Sequence, residues 1–62
     1  MTDIEKHKKA AKHLEEAAKY HREAAKYLEE GNPDKAHYSL LKALAHSTHA
    51  AEIQKEHLKA WI

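Results

Sequence analysis

The chain has 62 residues, with eleven basic and ten acidic side chains, seven histidines, no cysteine and a formal net charge of +1. That length holds one domain, residues 1–62, and below about 70–80 residues a single core rarely supplies more than ~3–5 kcal/mol. The missing cysteine excludes a disulfide staple or a thiolate site, and the balanced charge argues against the cationic field of nonspecific nucleic-acid binding.

From Ile4 the chain repeats every seven residues, as IEKHKKA, AKHLEEA, AKYHREA and AKYLEE. The period returns like residues to one side of a helix every two turns and predicts a helix over residues 3–30. Thr2 and Glu5 have the capping-box spacing that starts it. With Ile4 at position a, the expected core stripe is Ile4, His7, Ala11, Leu14, Ala18, His21, Ala25 and Leu28. Position g adds Ala10, Ala17 and Ala24, small residues that let two backbones approach closely. His13, Tyr20 and Tyr27 fall at position c and are expected at the boundary of the apolar side. Glu5–Lys9, Lys12–Glu16, Glu15–Lys19 and Lys19–Glu23 have the four-residue spacing of helix-surface ion pairs.

Gly31, Asn32 and Pro33 end the repeat. Glycine closes a helix in the left-handed conformation, asparagine caps the next, and proline suits its first turn. Asp34 then places negative charge near the positive end of the new helix dipole. A turn at residues 31–32 this short makes the helices antiparallel. The segment LEEGNPDKA resembles the junction between the two helices of a tetratricopeptide unit, although one such unit fills the whole length. Through AAKHLEEAAKYHREAAKYLEEGNPDKA the chain is also similar to short bacterial helical hairpins rich in Ala, His, Glu and Lys, a family of uncharacterised role. That resemblance implies a hairpin and a bacterial source, and it supplies no active site.

The second helix is predicted over residues 33–60. Its stretch AHYSLLKALAHSTHAA carries one formal charge, Lys42. At 100° per residue, Ala36, Leu40, Leu44, Ser47, Ala51 and Leu58 form one face, and His46, Ala50, Ile53, His57 and Trp61 an adjoining strip. So wide an apolar surface exceeds what one partner helix covers. The expected architecture is all-α, an antiparallel helical hairpin dimerising into a four-helix bundle.

Imidazole is a common transition-metal ligand and titrates near physiological pH. Residues whose numbers sum to about 63 or 64 lie level across the hairpin, which sets His7 against His57 and His13 within a turn of His46 and His49. His46 and His49 are neighbours at i, i+3. His46, His49, His13, His7 and His57 are therefore the candidate ligands, for zinc, copper or nickel. Packing of His7 and His21 as small hydrogen-bonded aromatics is the competing account. The His-Glu-x-x-His motif and the Glu-x-x-His pair are both absent from the sequence.

No enzymatic constellation emerges: Ser39, Ser47 and Thr48 lie within a helix, where hydroxyls bond back to the backbone. Two function classes follow, with no cofactor required by the first. One is a structural or interaction module that forms a homodimer and offers an outer face to a protein partner. The other is a metal-binding or pH-responsive helical protein. A smaller share goes to RNA binding by analogy with the Rop type of plasmid copy-number regulator, similar in length and predicted architecture, with Lys6, Lys8, Lys9 and Lys12 as the basic cluster. No apolar run approaches the ~20 residues of a membrane span and no secretory pattern opens the chain, so a cytoplasmic protein is expected.

Overall fold

The computed structural model describes residues 2–61, the side chains of Ala60 and Trp61 excepted. Ile62 and the indole of Trp61, which the sequence places among the large apolar groups, lie outside the described residues. Two helices, α1 (Asp3–Glu29) and α2 (Pro33–Trp61), pack side by side as an antiparallel hairpin 46 Å long. The first ends one residue before the expected position and the second runs one residue beyond it.

Each terminus follows from its residues. The Glu5 amide donates to Thr2 Oγ1 at 3.2 Å, satisfying one of the amides that a helix start leaves without a partner. At the other end Gly31 takes φ +75°, with its amide donating to the Leu28 carbonyl and the Asn32 amide to that of Tyr27. Those two bonds are a Schellman closure. Asn32 then serves the second helix, its Oδ1 accepting from the Lys35 amide and its carbonyl from that of Ala36.

The seam between α1 and α2 is made of small side chains. Ala10 and Ala17 from α1 meet Ala36, Ser39, Ala43 and Ala50 from α2, and Ala43 and Ala50 have no exposed surface at all. Half-buried His13, Tyr20 and Tyr27 flank the alanines on α1, with His46, Ile53 and His57 along α2. The interface on α1 therefore centres on position g, which the sequence also singled out, with c beside it; of the expected a and d stripe, His7 reaches across to His57 while the leucines stay outside. Alanine sets the reason: two helices alone reach closest approach where both present small residues, whereas the leucines of the a and d stripe would hold the backbones apart.

That stripe lies beside the seam instead. Ile4, Leu14 and Leu28 are 70%, 46% and 62% exposed, and Leu40, Leu44 and Leu58 of α2 are exposed by comparable fractions. Among the described residues no large side chain is fully buried. The expected ion pairs along α1 do not close among the described residues either; the pair that forms, Lys6 Nζ–Glu56 Oε2 at 3.9 Å, bridges the helices near the open end.

Candidate functional site

Two features stand out from the alanine seam, one on each broad side of the hairpin. On one side, positions a and d of α1 lie next to the row of α2 that contains Pro33, His37, Leu40, Leu44, Ser47, Ala51 and Leu58. Near the turn the two rows enclose a shallow apolar groove lined by His21, Ala25, Leu28, Pro33, His37 and Leu40. No Asp, Glu, Lys or Arg occupies either row. On the opposite side Lys19, Arg22, Glu23, Lys26 and Lys42 line a second hollow with Tyr20.

The second feature is a line of aromatic and imidazole rings that crosses from helix to helix. His13 Nδ1 and His46 Nδ1 are 2.9 Å apart, with ring centroids at 5.1 Å. The His49 ring stacks on that of His13, with centroids 5.1 Å apart. Tyr20 continues the line, lying nearly parallel to His46 at 5.8 Å. Lys42 Nζ then bridges the Tyr20 and Tyr38 faces at 5.3 and 5.4 Å, each a cation–π contact. Toward the open end His7 Nε2 meets His57 Nδ1 at 3.1 Å with the rings edge to face.

Register explains why these imidazoles meet. With the turn at residues 31–32, a helix rise of about 1.5 Å per residue keeps residues 7 and 57 level and holds residue 13 within one turn of both 46 and 49. All five histidines singled out from the sequence are thus brought together, as one pair and one group of three. His21 and His37 are separate from them and belong to the uncharged side. The part of Tyr20, Tyr38 and Lys42 is not evident from the sequence, although 20 and 42 share the same level across the hairpin.

Each hydrogen-bonded imidazole pair has one ring nitrogen donating and the other accepting, so at least one nitrogen of each pair is unprotonated. Partial burial, then the neighbouring rings of His46 and His49, then the Lys9 ammonium, push His13 below its ordinary value near 6.5. The group favours its neutral form in the folded chain. Among the described residues no three His, Asp or Glu side chains converge as a ready metal cage. The coordination on offer is pairwise. Among the hydroxyls, Thr48 Oγ1 donates back to the Leu44 carbonyl at 2.8 Å, as its place within a helix leads one to expect.

No helix among the described residues is long and apolar enough to cross a membrane. Comparison with known proteins finds no matching family model, curated protein or solved structure.

Proposed function

We propose that the chain is a non-enzymatic interaction module whose uncharged side pairs with the same side of a second copy, forming a four-helix bundle. One observation carries this reading: Ile4, Leu14, Leu28, Leu40, Leu44 and Leu58 lie outside the hairpin's own seam, gathered on a side without formal charge. Exposed apolar surface that is contiguous and bordered by polar residues marks an interaction site.

The energetics point the same way. An alanine seam removes little apolar area, and burial stabilises by about 25 cal/mol per Å². The leucines that could contribute most remain in water in the single hairpin. A side 46 Å long and 16 Å across offers about 700 Å² on each copy, close to the ~800 Å² per partner of a standard stable interface. A second copy suits that surface because a two-fold axis sets each leucine row against an identical one, a self-complementary arrangement. The charged side, with its row of lysines, tyrosines and histidines, then stays outward and is available to a protein partner.

Sedimentation across a micromolar concentration range tests the reading. The expected species has twice the 7.1 kDa chain mass, dissociating and losing helicity together on dilution. A cooperatively folded 7.1 kDa monomer throughout the range would overturn it.

A further inference from the structure

The imidazole contacts lie within the single hairpin, between its own two helices. We propose that His13 and His46 together bind copper(II) as neighbouring ligands, joining the two helices, and that His7 and His57 form a second bridge of the same kind.

The spacing of the nitrogens carries the assignment. At a metal–nitrogen distance of about 2.0 Å, two ligands at a right angle lie about 2.8 Å apart, and at the tetrahedral angle about 3.3 Å. The His13–His46 pair, at 2.9 Å, stands nearer the tetragonal value, and the His7–His57 pair, at 3.1 Å, lies between the two. Tetragonal coordination by nitrogen and oxygen is the preference of copper(II) and nickel(II), and copper(II) leads the affinity order of the divalent metals. A structural zinc site instead takes four protein ligands, and among the described residues no third side chain converges on either pair. Water fills the remaining positions on the metal.

Proton bookkeeping is simple. In each pair one nitrogen already presents a lone pair toward its partner's N–H. When the ion enters, the donating ring moves its proton to its other ring nitrogen through solvent and the two rings, which meet nearly head-on with His13 and His46 centroids 5.1 Å apart, turn toward the ion, so both stay neutral and both inward nitrogens become ligands. For His13 and His46 these are the two Nδ1 atoms, leaving both Nε2–H groups to bond outward. His49, stacked on His13 rather than aimed at the pair, fixes the ring plane of His13.

Titrating copper(II) sulfate into the metal-free chain, with visible absorption and paramagnetic resonance, reads stoichiometry and nitrogen count together. The expected result is two equivalents per chain, each copper coupled to two imidazole nitrogens. His13→Ala and His46→Ala should each abolish the same equivalent, and His7→Ala and His57→Ala the other. Glu29→Ala, at an exposed position near the turn and far from both pairs, should retain both. Metal about 100-fold above its dissociation constant should raise the melting midpoint by about 10 °C or more. Circular dichroism verifies that each variant remains helical, and the nitrogen count on the unaltered chain stands whether or not a variant folds. One or four nitrogens per copper, an unchanged stoichiometry in a helical His13→Ala chain, equal loss in Glu29→Ala, or zinc bound as tightly as copper would each overturn the proposal.

Discussion

At the scale of single residues, His13 links sequence to a measurable response. Its imidazole is held toward the neutral form by partial burial, by His46 and His49 across the seam, and by Lys9 one turn earlier on its own helix. The sign of the effect on stability is set by the direction of that shift. A folded-state value below the unfolded one means that the unfolded chain binds more protons as the pH drops below about 6.5. The contribution to stability is complete above that point and is lost as the pH falls through the folded-state value. A proton on both facing nitrogens of His13 and His46 also removes the acceptor from their contact. Melting curves at fixed protein concentration should therefore fall between pH 7 and pH 5. In His13→Gln, which cannot titrate, the fall should be shallower. Parallel slopes for the two chains would remove His13 from the account.

At the scale of elements, the helices and their junction were legible because each depends on a few residue-specific rules. Thr2 supplies an acceptor for the first turn, Gly31 the positive φ that closes α1, and Asn32 and Pro33 the opening of α2. No long-range contact is needed to read them. Which stripe of α1 enters the seam was less legible. Periodicity reveals that a, d, g and c positions all lean to one side of the helix, and hydrophobicity ranks leucine above alanine. Packing reverses that ranking, because the narrowest approach between two helices is available only to the alanine columns. A substitution in the seam should show this directly. Ala43, with no exposed surface, has no room for a larger side chain, and overpacking of this kind costs about 1–3 kcal/mol. Ala43→Leu should lower the urea midpoint accordingly, whereas Ala45→Leu, on an exposed position of the same helix, should leave it nearly unchanged. Equal midpoints would mean that the seam is not the tight contact of the fold. The candidate site was legible for a related reason: once the turn is placed, register alone sets His7 against His57 and His13 beside His46 and His49. The tyrosine and lysine contacts that extend the line escaped notice because side-chain direction about the helix, and not level along it, decides them.

At the scale of the whole molecule, two sides of one thin hairpin are assigned opposite tasks by a single asymmetry. Every row beside the seam on one side lacks formal charge, and on the other side lysine and glutamate recur with tyrosine and histidine among them. If the uncharged side is what a second copy covers, the position of a charge should matter more than its presence. Leu44 and Leu41 are neighbours on α2 with similar exposure, 59% and 50%, yet Leu44 belongs to the uncharged side while Leu41 points away from the seam altogether. Leu44→Lys would bury an ammonium without a partner in the bundle interior, a cost that apolar surroundings make large. Leu41→Lys would add the same charge to open solvent, where a surface substitution changes stability by about 0.5 kcal/mol or less. Sedimentation should show Leu44→Lys shifted toward the single chain at concentrations where Leu41→Lys still sediments as the unaltered protein does. Helicity should fall with dissociation, since the alanine seam alone removes too little apolar surface to order two long helices. Equal behaviour of the two variants would separate association from the uncharged side and leave the leucines there without a role.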